Sequence, residues 1–207
     1  MPWNYRLFIL LTLFALNAAH AEWGEGWDPI DPPVATTAPE GKVEVIEFFW
    51  YGCPHCYQME PQLQAWLKNK PEQVAFIRVP APLNNSWTVH AQFFYAAEIL
   101  GLGDKMHHPL FVAMHDKKRK LYDKASLIDF AVEQGADRQK FTDAWNSFGV
   151  YVKVQNAKKL GQRYRLDGVP AIGINGKYIT NGSLAGTYSK MFEIVSQLVA
   201  KESKTTP

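Results

Sequence analysis

Cys53-Pro54-His55-Cys56 contains both cysteines of the 207-residue chain. Two thiols separated by two residues can close on each other, but they tie off so short a loop that little unfolded-state entropy is removed. Stabilising the fold is therefore a poor reason for the pair. The spacing suits exchange: one thiolate attacks a partner's sulfur and the second resolves the mixed disulfide. Structural zinc would need about four ligands, against one cysteine pair and the scattered His90, His107, His108 and His115. Haem attachment needs a histidine directly after Cys56, where Tyr57 stands. Two idle buried cysteines are the remaining alternative. The expectation is a redox-active Cys53–Cys56 disulfide, with no metal and no cofactor.

The elements around the pair assign each sulfur a job. Val43–Phe49 is a β-rich, nearly continuous apolar run that reads as a central strand covered on both faces. Gly52 breaks it, and Pro54 suits the first position of a helix. Cys56, Met59, Leu63, Trp66 and Leu67 recur at helical spacing, with a kink expected at Pro61. Cys53 then lies at a helix N-terminus, where open N–H groups and the dipole favour a thiolate. His55 is placed to favour it further, although a spectator surface histidine is an alternative. Cys56, a turn inside on the apolar side, is the shielded resolving thiol. A well-stabilised Cys53 thiolate is a good leaving group, which predicts a site that gives its disulfide away.

Two further positions attract attention. Strand alternation puts Glu47 on the face of Val43 and Val45, beneath the cysteine pair. A carboxyl buried there would relay the proton of the resolving thiol, or pair with Arg78 on the next strand, or both. Val169-Pro170, just before a strand, is a natural place for a cis peptide, an ordinary trans turn being the alternative. A cis-proline turn against the cysteines would offer the Val169 backbone to an extended peptide.

The rest of the chain reads as an α/β unit with an inserted helical subdomain. Val74–Val79 is the second strand. Helical patterns cover Ser86–Leu100, Met106–His115, Ala125–Gln134 and Asp137–Phe148, punctuated by Gly101, Gly103, Gly135 and Gly149. Val150–Tyr164 is a long helix bridging the two parts. Ala171–Ile174, Asn175-Gly176 and Lys177–Ile179 form a hairpin with a type I′ turn, followed by a helix from Thr187 to Ala200. This order describes a thioredoxin-like fold, with residues 22–83 and 150–207 as its body and 84–149 as the insert.

Compartment and partners follow from composition. Arg6, the apolar stretch Leu7–Leu16 and Ala19-His20-Ala21 have the layout of a cleavable signal peptide over residues 1–21. The apolar stretch is half of the ~20 residues a membrane span needs. Its removal takes away one base and no acid, lowering the net charge from +2 to +1 and arguing against nucleic-acid binding. The basic run Lys117–Lys120 reads as a solvated helix end or loop. Export would place the cysteines where a disulfide persists.

Together these residues resemble the DsbA family of exported thiol–disulfide oxidoreductases. Glu47–Tyr57, Gly168-Val169-Pro170-Ala171 and Ile174–Tyr178 are similar to its active-site strand and helix, its cis-proline loop and its hairpin. The resemblance implies Cys53 as nucleophile, Cys56 as resolving thiol, His55 as thiolate stabiliser, Glu47 as the buried acid and Val169-Pro170 as the substrate site. It also implies reduced, newly exported proteins as substrates in a periplasm, and a quinone-linked membrane oxidase of the DsbB type as reoxidant. Exported isomerases of this fold resemble dimers with an added N-terminal domain; the roughly twenty residues from Glu22 to the first strong strand leave no room for one, and a monomer is expected. The alternatives are a disulfide isomerase or reductase, and a peptide-holding chaperone without turnover.

Overall fold

The computed structural model describes residues 26–204. The expected signal peptide lies outside them. The central strand is β2, Val43–Phe49, and all seven of its residues are buried. It pairs in parallel with β3 (Val74–Pro80) and antiparallel with β4 (Ala171–Ile174). β5 (Tyr178–Asn181) pairs with β4, and a two-residue β1 (Asp28–Pro29) pairs with β5, giving the order β1-β5-β4-β2-β3. The apolar character of β2 follows from cover on both faces. Val43 and Val45 pack with Met59 and Leu63 of α1 (Pro54–Asn69) and with Met191 and Val195 of α8 (Tyr188–Ser203). Ile46 and Phe48 pack with Ala157 and Tyr164 at the end of α6 (Phe148–Arg163).

Between β3 and α6 stand four helices: α2 (Asn85–Ile99), α3 (Gly103–His115), α4 (Lys124–Glu133) and α5 (Arg138–Asn146). Asn84, Asp123, Asp137 and Ser147 cap α2, α4, α5 and α6, each side chain accepting from a backbone N–H of the first turn. The insert packs around Phe93, Phe111, Phe130 and Phe141, in an apolar centre that also takes in Phe49, Tyr51 and the two cysteines. Val150 and Val154 of α6 belong to that centre while Ala157 belongs to the sheet's, so α6 joins the two.

Some local expectations need correcting. The α5–α6 break falls at Ser147, which ends one helix and caps the next, and Gly149 lies inside α6. Gly103 likewise opens α3 instead of preceding it. A four-residue helix α7 (Gly182–Ala185) precedes α8. The lead-in contributes β1, then anchors through Ile30 N–H to Lys177 O (2.7 Å) and Val34 N–H to Gly176 O (2.8 Å). The β4–β5 turn has Asn175 at φ 50° and Gly176 at φ 69°, the two positive values a type I′ turn requires. The Lys117–Lys120 run forms the loop after α3, with Arg119 held bidentately by Glu133. Among the described residues no helix is long and apolar enough to cross a membrane.

Candidate active site

Strand β2 delivers the chain to the cysteines through Trp50-Tyr51-Gly52. The Cys53 N–H donates to Trp50 O (3.0 Å), and Tyr57 N–H donates to Cys53 O (3.2 Å). Cys53 is the N-cap of α1, with extended backbone and no capping bond from its side chain, and Pro54 follows it. The first N–H groups of the helix therefore face the sulfur. Both thiols are free; Cys53 is 8% exposed and Cys56 fully buried.

The two sulfurs have opposite acidities. Cys53 is lowered to about 6. The largest cause is the hydrogen bond from the Cys56 thiol, which outweighs partial burial; the backbone N–H groups of Cys56 and His55 add to it, and the charge of His55 contributes least. His55 itself is exposed. Cys56 is raised well above an ordinary thiol, first by burial, then by donating to Cys53 and by the charge of Cys53, with the charge of Glu47 adding to this. The site thus favours the thiolate on Cys53 and the protonated thiol on Cys56.

The Val169–Pro170 bond is cis, and this loop lies directly against the pair: the Cys53 thiol donates to Val169 O at 3.4 Å. A groove of about 740 Å³ opens beside it, lined by His55, Gln62, Val169, Pro170, Ser183 and Tyr188 among others. The carbonyl of Val169 thus faces the Cys53 sulfur, and Val169 also lines the open groove.

Glu47 is wholly buried, and Arg78, its register partner across β2–β3, donates from Nε to Oε2 at 2.9 Å. The carboxyl is nonetheless raised to about 8, first by burial and then by the charge of Glu60, with Arg78 offsetting part of this. Oε2 accepts from the guanidinium, and Oε1 has no hydrogen-bond partner, so the proton of the neutral acid belongs on Oε1. The expected contact with Arg78 is present, and it leaves the other carboxyl oxygen unpartnered.

Glu60 is not singled out by the sequence, and His107 and His115 figure there only among the scattered histidines. Glu60 is buried on α1, and His107 is buried on α3, with Nε2 3.4 Å from Glu60 Oε1 and Nδ1 3.0 Å from the hydroxyl of buried Tyr51. Glu60 had a visible signal: it is four residues after Cys56 and three before Leu63, on the buried side of α1. His107 lies between Met106 and Leu110 in a helix whose partner no spacing reveals. His115 reaches the carbonyl of Tyr51 at 2.7 Å and stacks on Tyr57, bracing the turn that leads to Cys53.

A cysteine pair at a helix N-terminus, facing a cis-proline loop across a mixed sheet, defines a thiol–disulfide oxidoreductase of thioredoxin-like fold; the helices placed after β3 narrow the class. The family model of the DSBA-like thioredoxin domain matches residues 79–189. The chain is similar to the thiol:disulfide interchange protein DsbA of Burkholderia cepacia, with 40% identity covering 86% of each chain. With that of Pseudomonas aeruginosa it shares 35% identity over 95% of this chain and 93% of the relative. The crystal structure of Pseudomonas aeruginosa DsbA superposes with a TM-score of 0.82 at 36% identity, covering 87% of this chain and 94% of that one. The chain belongs to the DsbA family of thiol:disulfide interchange proteins.

Proposed function

We propose that the protein oxidises reduced, newly exported proteins, and that Cys53 is the sulfur its clients attack. A client thiolate attacks Cys53 Sγ, forming the mixed disulfide and breaking the Cys53–Cys56 bond, and Cys56 leaves as a thiolate. Glu47 Oε1 gives that thiolate its proton, which suits a buried sulfur of high proton affinity. A second client thiolate then attacks the client's own sulfur, releasing Cys53 as a thiolate. The client loses two electrons and gains a disulfide; the protein gains two electrons and holds a dithiol. Val169-Pro170 and the groove beside them receive the client as an extended segment, and His55 favours the departing Cys53 thiolate. The reaction belongs in a periplasm, with a monomer working on reduced proteins and a quinone-linked membrane oxidase of the DsbB type restoring the disulfide. Residues 84–149 are the inserted subdomain of this enzyme.

The observation that carries the reading is the lowered pKa of Cys53, about 6 at the start of α1, beside a buried Cys56 whose pKa is raised. A thiolate so stabilised makes the reduced protein the comfortable form and the disulfide the reactive one. Equilibration with glutathione buffers, followed by quantification of free thiols, tests this. The expected midpoint is more oxidising than that of thioredoxin; a midpoint near thioredoxin's overturns the donor reading in favour of a reductant.

A further inference from the structure

Behind the resolving thiol, three elements converge on one buried polar site. Glu47 of β2, Glu60 of α1 and His107 of α3 bring a carboxylate oxygen each and a ring nitrogen within 4.8 Å of one another, all three side chains buried. The cation of this site is the Arg78 guanidinium from β3, bonded to Glu47 and favouring the Glu60 anion by its charge. Two carboxyls against one fixed cation hold one proton between them at neutral pH, because like charges so close in low dielectric do not both form. Its location matters. The charge of Glu47 acts directly on Cys56, so a proton on Glu47 serves the thiol and a proton on Glu60 leaves an anion beside it.

Tyr51, His107 and Glu60 form a chain with a definite direction. The Tyr51 hydroxyl is buried and stays protonated, and among the described residues His107 Nδ1, at 3.0 Å, is the partner that can take its hydrogen, so it donates there. The imidazole is itself kept neutral, first by burial. A neutral ring that accepts at Nδ1 carries its hydrogen on Nε2, and Nε2 faces Glu60 Oε1 at 3.4 Å. Burial alone would raise Glu60; the bond from His107, the charge that ring carries when protonated, the Arg78 charge and the Gln64 amide at 3.2 Å together outweigh it and hold Glu60 below the usual carboxylate value. The other charged groups around His107 are Asp104 and His108 on its own helix, and Glu98 and Lys153 across a cleft of about 480 Å³. None of them is hydrogen-bonded to the ring.

We propose that His107, its tautomer set by Tyr51, is a positioning residue that keeps Glu60 the anion and Glu47 the acid, so that the shared proton waits beside the resolving thiol. The inference rests on the reading of Glu47 as proton donor to Cys56. It deepens that reading by naming what loads the donor. His107 touches no reacting atom; it acts through the second carboxyl.

Carbon-13 labelling of the glutamate side-chain carboxyls, read by NMR in the oxidised full-length mature protein near pH 6.5, tests the proposal. The wild type should show Glu47 protonated and Glu60 ionised. In His107→Leu the proton moves to Glu60, and reduction of the disulfide by dithiothreitol, expressed per attacking thiolate, slows about tenfold as Cys56 now leaves beside an anion. His107→Gln, whose amide still donates to Glu60, restores the wild-type distribution. Tyr51→Phe, which frees the tautomer, protonates Glu60 in part and decides the matter should His107→Leu fail to fold. Glu47 remaining protonated in His107→Leu, or in Tyr51→Phe where that must serve, overturns the role of His107 and leaves the Glu47 reading standing. Glu47 already ionised in the wild type overturns both.

Discussion

Cys53 and Val169 are 116 residues apart in the chain, and the sulfur of one lies 3.4 Å from the carbonyl oxygen of the other. The sheet produces this meeting. β2 leads into the cysteines at one end, and β4, hydrogen-bonded to β2 in antiparallel register, starts beside that same end. The loop entering β4 therefore lies against the start of α1. On the proposed function, a client sulfur approaching Cys53 would pass along the Val169-Pro170 backbone, so that recognition and chemistry share one edge.

The thiol of Cys56 is the largest single support of the Cys53 thiolate. Cys56→Ala removes that donor and should move the Cys53 titration upward from about 6, read from thiolate absorbance in the ultraviolet. Cys56→Ser keeps a hydroxyl donor and should move it less. With resolution lost, Cys56→Ser should also accumulate a mixed disulfide with glutathione on Cys53, measured by mass spectrometry. Adducts found only on Cys56, in the reciprocal Cys53→Ser variant, would reverse the two roles.

The same titration sets how stability depends on pH. The folded-state value of Cys53 is depressed to about 6, below the ~8.5 of an unfolded thiol. Its contribution is therefore complete above ~8.5 and is lost as the pH falls toward 6. Only the reduced protein has this thiol. The stability of the reduced form relative to the oxidised form should rise from pH 6 to 8.5 in urea titrations; a flat difference would contradict the assignment.

Glu47 has the opposite sign. Its folded-state value is raised from 4.5 to about 8, so its contribution is complete below 4.5 and is lost as the pH rises to about 8. Compared in the oxidised form, Glu47→Gln should gain on the wild type across that window, by at most about 1.4 kcal/mol per pH unit, the limit for one proton. Parallel pH profiles for the two proteins would mean that Glu47 is ionised throughout.

Gly176 is fixed by two constraints at once. Its φ is +69°, and a Cβ there would come within 1.8 Å of Val34 O, in the strap that bonds back to Gly176. Gly176→Ala should cost on the order of 1–3 kcal/mol in chemical denaturation and loosen the lead-in, seen as faster hydrogen exchange at Ile30 and Val34. Unchanged exchange would show that the strap is held independently of the turn.

The legible parts of the molecule were those where chemistry is local. Cys53 to Cys56, the helix start at Pro54 and the Asn175-Gly176 turn each state their conformation within a few residues. Glu47 could be placed beneath the cysteines because strand alternation is strict. His107 and Glu60 could not be paired, since 47 residues separate them and only the packing of α3 on α1 brings them together. The order of influences on Cys53 was also hidden: proximity in sequence favoured His55, whereas the geometry puts the Cys56 thiol first. β1 escaped notice because two residues, one of them a proline, carry no alternation to read.

β1 and its strap have a consequence for a protein that handles unfolded chains. Without them β5 would be the outer strand of the sheet, a row of open N–H and C=O groups facing clients rich in unpaired backbone. Clients could then be captured by the scaffold, along a length of sheet where no sulfur waits. Asp28–Pro29 and the bonds from Ile30 and Val34 fill that border with the protein's own chain. That border of the sheet, at least, is closed to extended polypeptide by the protein's own chain.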